Sequence, residues 1–386
     1  MRKKHFLFAS VLALLCGSSA LHAQDFKLTS SGYFKNQGVD IMAFDDIYPE
    51  GHQGGVCIIM NGHRVATNGD IRLEATPGQW QPVPKQLDRK LGDNSITATL
   101  CYPDSSRHLT GFNPMIYPDL HLIYTVNVES KGKNIEVTVD LDRPIPQEFI
   151  GKVGFNLEFF PGSLFGKPWI MDGQSGIFPQ QPNSPLMTTQ PNYLHTGNYH
   201  DGKQSLADMD KLIGKGYSPI VADDIISEPY AKGRKFTSRP DDPYNKVTIE
   251  SLSGDLQLFD GRMNHNNGWF VLRSNIKPGV TKGAVKWIIT PNVVADWMYQ
   301  PVIQTSQIGY HPAQDKEAVI EMDIRDNRKE TAQIIRIDAD GEKVVKNVTP
   351  ANWGKFLRYN YLKVDFTDVK EPGLYKIKYD LSLIHI

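Results

Sequence analysis

The chain has 386 residues, and its 42 Lys and Arg against 43 Asp and Glu give a formal net charge of −1 at pH 7. This balance, without any basic run or arginine-rich stripe, excludes the electrostatic footprint of a nucleic-acid-binding protein. The length exceeds that of one average domain, so we expect two or three domains.

The first 23 residues have the pattern of a secretory signal peptide. A basic start at Arg2 precedes a short apolar run from Phe6 to Leu15, and Ala23 is the predicted last residue before cleavage. The apolar run is too short to span a bilayer, and no long apolar stretch follows it. A lipidated Cys16 is the alternative, but Leu15 is bulky where a lipobox needs a small residue. We therefore expect an exported protein, periplasmic, cell-surface or secreted, without a transmembrane segment.

Two cysteines, Cys57 and Cys101, remain after processing, and both lie in runs typical of strands. Two interpretations stay open. The cysteines are either two buried small hydrophobic residues, or they form one disulfide between neighbouring strands, which an oxidising compartment allows. The sequence does not show whether their Cβ atoms face each other. No histidine stands at zinc-ligand spacing, so we predict no metal site, and nothing indicates a cofactor.

Alternating apolar and polar residues recur along nearly the whole chain and predict an all-β protein, because successive strand residues point to opposite faces of a sheet. The clearest strand patterns are Leu120–Glu129, Ile135–Leu141, Val153–Phe160, Val247–Leu252, Trp269–Ser274, Ala284–Thr290, Ala318–Met322, Gln333–Ile337, Tyr361–Phe366 and Tyr375–Tyr379. Turn pairs that favour tight hairpins are Asn61-Gly62, Asn68-Gly69, Asp260-Gly261 and Asp340-Gly341. The best helix candidate is Gln204–Gly214.

The stretch 161–243 is rich in Pro, Gly, Asn and aromatic residues and predicts long functional loops. Aromatic planes pack well against the C–H faces of sugar rings. The candidate carbohydrate-binding residues are Trp80, Trp169, Tyr193 and Tyr199. Packing of these rings in the core is the structural alternative.

A domain boundary is predicted near 291–301. We expect a large β-sandwich over residues 24–299, with a supersandwich like those of sugar-mutarotase-like folds as one form it can take. About seven short strand patterns follow over residues 302–380, which is the number expected of a small immunoglobulin-like sandwich.

The second unit contains two motif segments in a fixed order. It opens with Gln307-Ile308-Gly309-Tyr310-His311-Pro312 and closes with Glu371-Pro372-Gly373-Leu374-Tyr375. This resembles the N-terminal immunoglobulin-like domain of glycoside hydrolase family 9, the cellulase and endoglucanase family. The region 24–299 resembles the N-terminal extension of longer bacterial members. The resemblance implies a domain without catalytic residues that packs against a catalytic (α/α)6 barrel, which hydrolyses β-1,4-glucan.

The catalytic machinery of that family has no counterpart in this sequence. The family uses an Asp-Ala-Gly-Asp motif, whereas Asp338-Ala339-Asp340-Gly341 has a different order and stands between two strand patterns, so we predict a hairpin turn. We therefore predict no catalytic residues in this chain. The last six residues, 381–386, correspond to a sequencing-adaptor sequence in translation, so we expect a non-native tail and a natural chain that continues past Asp380.

Three functional hypotheses follow from the sequence. The chain is the non-catalytic front of a secreted family 9-like hydrolase, with β-glucan as substrate and the missing C-terminal catalytic module as partner. The alternative is a carbohydrate-binding accessory protein without catalysis. The third hypothesis is an enzyme with its own site in the 161–243 loops.

Overall fold

The computed structural model describes residues 25–45, 54–74, 84–102, 120–182, 186–188, 225–263 and 268–385. Within these ranges the chain consists of β-strands, connecting loops and three short 3₁₀ helices, Gln147–Phe149, Pro161–Ser163 and Gly261–Met263. The all-β prediction is confirmed. The helix predicted at Gln204–Gly214 lies outside the described residues.

Twenty strands precede residue 292 in the described ranges. They are β1 (Lys27–Leu28), β2 (Phe34–Asn36), β3 (Val39–Ala43), β4 (Val56–Met60), β5 (His63–Leu73), β6 (Lys85–Leu91), β7 (Ser95–Tyr102), β8 (Leu122–Lys131), β9 (Asn134–Leu141), β10 (Val153–Phe159), β11 (Pro168–Met171), β12 (Gln174–Ile177), β13 (Leu186–Thr188), β14 (Ile225–Ser227), β15 (Ala231–Gly233), β16 (Lys235–Ser238), β17 (Val247–Ser251), β18 (Leu256–Asp260), β19 (Phe270–Asn275) and β20 (Val285–Pro291).

These strands form two nine-stranded sheets and one isolated pair. Sheet I has the order β1-β2-β3-β4-β5-β10-β19-β18-β15, and sheet II has the order β12-β11-β16-β17-β20-β9-β8-β7-β6. The pair is β13 with β14. The sheets enclose one hydrophobic core, in which Phe155 of sheet I meets Trp287 of sheet II edge to face, with ring centroids 5.0 Å apart.

Strict alternation positions the core residues of sheet II. In β8, Tyr124, Val126 and Val128 are buried, while the residues between them are partly exposed. Burial of each large apolar side chain contributes about 1.5–3 kcal/mol, so one face of every strand drives the association of the sheets. Strand β10 differs, because all seven of its residues are buried, so both faces of the strand are covered.

The turn predictions have mixed outcomes. Asn61 and Gly62 have φ values of 53° and 84° and join β4 to β5 as a two-residue hairpin, as predicted. The hairpin predicted at Asn68-Gly69 is wrong, because the pair lies inside β5 at a register shift against β4. Asn68 has φ of 54° there, so the residue types that favour a hairpin serve a bulge instead. The prediction at Asp260-Gly261 is also wrong: Gly261 begins a 3₁₀ helix within a longer connection to β19.

Eight strands follow in the C-terminal part. They are β21 (Val302–Gln304), β22 (Glu317–Asp323), β23 (Ala332–Asp338), β24 (Gly341–Val348), β25 (Ala351–Phe356), β26 (Tyr359–Asp365), β27 (Leu374–Tyr379) and β28 (Ser382–His385). Sheet III has the order β21-β22-β26-β25, and sheet IV has the order β24-β23-β27-β28.

Sheets III and IV enclose a second core. Its buried residues are Ile303, Ala318, Ile320, Met322, Ala332, Ile334, Leu362, Val364, Phe366, Tyr375, Ile377 and Tyr379. Asp338 pairs with Gly341 across the β23–β24 hairpin, as the sequence predicts for this turn. Strand β28 pairs with β27, while the non-native origin of residues 381–386 stays a prediction.

Candidate functional site

Sheet I carries a group of buried charged and polar side chains. In β10, Phe155 and Leu157 point to the core, and by alternation Asn156 and Glu158 point to the opposite face. Asn156 is paired in register with Arg273 of β19. All three polar side chains are as buried as the core itself. Buried charges are stable only when they are paired or hydrogen-bonded, so the partners of these side chains define a candidate site.

Glu74 and Arg273 form the centre of this cluster. Arg273 Nη1 lies 3.3 Å from Glu74 Oε1 and donates to Asn156 Oδ1 at 2.9 Å. Its Nη2 donates to the carbonyls of Glu74 and Lys152, at 3.0 and 2.8 Å. Asn156 Nδ2 donates to the Glu74 carboxyl. Burial raises the pKa of Glu74 to about 7, and the attraction of Arg273 only partly opposes this.

A second group of charges extends the cluster toward β5. Asn68 Nδ2 donates to Glu158 Oε2 at 2.6 Å, and Arg72 lies 3.8 Å from Asp70 Oδ2. Burial acts to lower the pKa of Arg72, but the Glu158 and Asp70 carboxylates outweigh it and raise that pKa. Tyr124 of sheet II donates its hydroxyl to Asp70 Oδ1 at 2.8 Å, so the network reaches across the sandwich.

The cluster is arranged for charge neutralisation. The three carboxyls of Asp70, Glu74 and Glu158 face two arginines, so a proton on Glu74 leaves the group neutral. Inverting glycoside hydrolysis needs two carboxyls about 6.5–9.5 Å apart with room for a water molecule between them. The Glu74 carboxyl is instead engaged by Asn156 and Arg273. What this arrangement supplies chemically is a buried carboxyl whose pKa is raised by burial.

The structure places one of the four predicted sugar-binding aromatics. Trp169 lies in β11 and is 6% exposed, within the core of the first sandwich. Gly176 packs on its ring, where a Cβ would lie 2.5 Å from Trp169 Cζ2. The ring therefore has no face to offer to a sugar, and the prediction is corrected to core packing. The other three, Trp80, Tyr193 and Tyr199, lie outside the described residues.

The two cysteines lie in different sheets. Cys57 belongs to β4 of sheet I, and Cys101 belongs to β7 of sheet II. Both are thiols in the structure, so the disulfide alternative is not formed. Cys57 is buried with its Sγ 3.1 Å from Thr67 Oγ1, in keeping with the alternative of a small buried residue, whereas Cys101 is partly exposed and does not follow that alternative.

A second candidate site is the joint between the two sandwiches. The Trp297 ring packs on Gly38, where a Cβ would lie 2.7 Å from Trp297 Cε3. Gln37 Nε2 donates to the Trp297 carbonyl at 2.7 Å, and Arg325 of the second sandwich donates to the same oxygen at 2.6 Å. The segment that connects the sandwiches is thus hydrogen-bonded to both of them.

Tyr299 continues this joint into sheet III. Its backbone N–H donates to Asp323 at 3.0 Å, and its hydroxyl donates to Glu321 at 2.9 Å. Burial acts to raise the pKa of Asp323, but hydrogen bonds from Arg325 and from the Tyr299 N–H lower it to about 2. Burial and the Glu321 bond raise the pKa of Tyr299. The tyrosine is therefore a neutral donor and the aspartate a fixed acceptor at this joint.

The two motif segments of the second unit come together in space. Both line one surface pocket, with Ile334 and Phe366 among its apolar walls. Tyr310 donates its hydroxyl to the Glu317 carbonyl at 2.7 Å, and Tyr375 donates to the Glu371 carbonyl at 2.7 Å. Each tyrosine buries a ring and ties a loop to the sandwich, so the motif residues have structural roles.

Sequence reasoning missed both the acid–arginine cluster and the joint. Asp70 and Arg72 alternate with Ile71 and Leu73, a pattern that normally indicates a solvated face. The available signals were Asn156 and Glu158, two polar residues in a strand that is otherwise apolar. For the joint, the signal was Trp297 and Tyr299 within a predicted linker, where large rings are uncommon.

The C-terminal part of the chain is similar to a known domain family. Residues 298–382 match the family described as the cellulase N-terminal ig-like domain, so this part of the chain is similar to the immunoglobulin-like N-terminal domains of cellulases. No curated protein matches the chain. A solved structure titled "Crystal Structure Analysis of HI1317" is similar at 7% identity and a TM-score of 0.25, over 68% of this chain and 93% of that chain. That TM-score is too low to infer a shared fold.

Two features are absent from the described part of the chain. No helix there is long and apolar enough to cross a membrane. No three His, Cys, Asp or Glu side chains are grouped there as metal ligands.

Proposed function

We propose that this chain is the non-catalytic N-terminal portion of a secreted, family 9-like glycoside hydrolase that acts on β-1,4-glucan. The observation that carries the proposal is the match of residues 298–382 to the cellulase N-terminal immunoglobulin-like domain. In this proposal, hydrolysis belongs to an (α/α)6 module encoded after residue 380. The region 24–299 is an N-terminal extension of the enzyme.

The positions of the acidic residues support a role without catalysis for the described part. Asp338 and Asp340 belong to a hairpin end, where Asp338 is paired with Gly341 and is bonded to Arg336. Glu74 is buried against Arg273. These carboxyls have the surroundings of structural groups, and the proposal assigns the acid and base of hydrolysis to the other module.

The joint supports an accessory role for the whole chain. The Trp297 carbonyl accepts hydrogen bonds from both sandwiches, and Tyr299 is bonded to the second, so the first sandwich is held close to the second. In a hydrolase with a third module, such a joint gives the first sandwich a defined position relative to the catalytic cleft. A flexible tether would be rich in Gly and Ser instead.

Reading the natural gene past codon 380 tests the proposal. We expect an open reading frame that encodes an Asp-Ala-Gly-Asp motif followed by amphipathic helical segments. A reading frame that ends within a few codons of 380, or that continues without this motif, would contradict the family 9-like assignment. The match of residues 298–382 would stand in either case.

A further inference from the structure

The outer face of sheet III carries an unusual number of aromatic rings. In β26, Tyr359, Tyr361 and Lys363 alternate with the buried Leu362 and Val364. Next to them on the edge strand β25, Trp353 and Phe356 are 55% and 56% exposed. The outer face of a sandwich sheet is normally polar, so a group of exposed rings indicates a binding surface.

These rings form a continuous row of edge-to-face and tilted contacts. Trp353 meets Tyr361 at 5.6 Å between centroids, Tyr361 meets Tyr359 at 6.0 Å, and Tyr359 meets Tyr299 at 5.1 Å. Trp297 follows at 6.4 Å from Tyr299. The row thus runs from the exposed edge strand to the joint with the first sandwich, and contacts between its members hold the rings in place.

Charged groups of both signs are interleaved with the rings. Glu321 accepts hydrogen bonds from the hydroxyls of Tyr299 and Tyr361, at 2.9 and 3.2 Å. Lys363 Nζ lies 2.8 Å from Glu317 Oε1. A nucleic acid would need a basic surface, and these paired charges do not provide one. Aromatic planes next to donors and acceptors suit a neutral polyhydroxyl chain.

The pocket on this surface marks where a ligand would sit. It is lined by Val319, Trp353, Phe356, Tyr361 and Lys363. Two of its rings are more than half exposed, and Tyr361 meets Trp353 edge to face with its hydroxyl bonded to Glu321. An ammonium group stands beside the rings, within reach of a ligand hydroxyl.

We infer that this aromatic face of sheet III binds a segment of β-glucan chain, with sugar rings stacked on Trp353 and Phe356. Lys363 and the Glu317 and Glu321 carboxylates then bond the sugar hydroxyls at the rim. The choice of β-glucan rests on the proposed function. The site adds to that function a place on the immunoglobulin-like sandwich, away from the catalytic module, where a substrate chain is held.

Affinity electrophoresis tests the inference with the purified chain. The probe is hydroxyethyl cellulose, a neutral soluble β-1,4-glucan, with dextran as a neutral glucan of different linkage. The chain is expected to be retarded by hydroxyethyl cellulose and not by dextran. Trp353→Ala is expected to weaken retention about tenfold, and Phe356→Ala by a smaller factor. Tyr244→Ala is the matched control, since Tyr244 is 49% exposed on the first sandwich, and it should leave retention unchanged.

The outcomes separate this site from the proposed function. Because Trp353 is largely exposed, its alanine variant should keep the wild-type unfolding temperature, and Phe356→Ala provides a second test if it does not. Absence of retention of the wild type, or equal retention of both ring variants and wild type, would overturn the inference. A dimer that Trp353→Ala dissociates, without glucan retention, would also overturn it and assign the face to a second copy. None of these results bears on the reading frame past codon 380.

Discussion

Arg358 Nη1 lies 2.9 Å from Asp40 Oδ2, which pairs a guanidinium of the second sandwich with a carboxylate of β3 in the first. Burial raises the pKa of Asp40, although Arg358 and Lys35 act in the opposite direction. The pair lies near the Gly38–Trp297 contact, because Asp40 is two residues after Gly38 in the chain. Together these contacts make the joint a packed interface with an ion pair at its rim.

Arg358→Ala should loosen the joint. The side chain is about half exposed, so the expected loss in the free energy of unfolding is only about 1 kcal/mol. The larger effect should be on the connection between the sandwiches, which limited proteolysis measures as faster cleavage between residues 292 and 301. Arg336→Ala is the control, because its partners Asp338 and Glu371 lie within the second sandwich. Equal cleavage rates for both variants would contradict the role of the Arg358–Asp40 pair.

Gly38→Ala should destabilise the protein through contact with Trp297. Gly38 has φ of 67°, and an added Cβ would lie 2.6 Å from Asn61 Oδ1 and 2.7 Å from the indole. Gly151→Ala is a matched control, since Gly151 has φ of 82° with nothing within 4 Å of an added Cβ. Both variants should lose about 1 kcal/mol from backbone strain. Gly38→Ala should lose a further 1–3 kcal/mol, roughly, from overpacking. Urea unfolding measures the difference, and equal losses would show that the ring does not pack as described.

Glu74→Gln should change how stability depends on pH. The folded pKa of Glu74 is about 7 against an ordinary value of 4.5, so between these pH values the folded state holds a proton that the unfolded state has lost. The free energy of unfolding of the wild type should therefore fall as pH rises from about 4.5 to 7, by up to about 3 kcal/mol from this group.

The glutamine variant lacks this titration, so its stability relative to wild type should rise between pH 5 and pH 8. Chemical unfolding at several pH values measures the difference. Asp88→Asn, at an exposed position of β6, is the control and should follow the wild-type pH dependence over this range. Parallel pH curves for Glu74→Gln and wild type would show that Glu74 is ionised throughout.

Trp169→Ala and Trp353→Ala should have opposite effects. Trp169 is 6% exposed in the core, so its truncation should cost about 3–5 kcal/mol of stability. Trp353 is more than half exposed, so its truncation should cost little stability and should reduce glucan retention instead. Thermal unfolding and affinity electrophoresis on the same two samples measure both effects. Loss of retention in a folded Trp169→Ala protein would return that ring to the candidate sugar-binding residues.

Some features were predictable because they depend on local chemistry. The strands of β8 and β9 follow from alternation, and the turn at Asn61-Gly62 follows from the residues that tolerate positive φ. The same residue types gave a wrong prediction at Asn68-Gly69, because a bulge inside β5 needs a positive φ as a tight hairpin does. Trp169 was misassigned because its neighbours are typical of loops, whereas its burial depends on strands more distant in the sequence.

The acid–arginine cluster and the aromatic face of sheet III could not be assembled from the sequence for a different reason. Glu74, Asn156 and Arg273 are far apart in the sequence and meet only because β5, β10 and β19 are adjacent in sheet I. The aromatic face of sheet III likewise needs the register in which Tyr361 stands opposite Gly354 and Glu321. Local patterns specify which residues alternate, but strand order decides which of them become neighbours.

Release of reducing sugar from a β-1,4-glucan tests the central claim most directly, with this chain and the protein encoded by the whole gene compared at equal concentration. The whole-gene protein should hydrolyse the glucan, and the 386-residue chain should release no more sugar than a blank. Turnover by the shorter chain alone, abolished by a carboxylate substitution within it, would contradict the account.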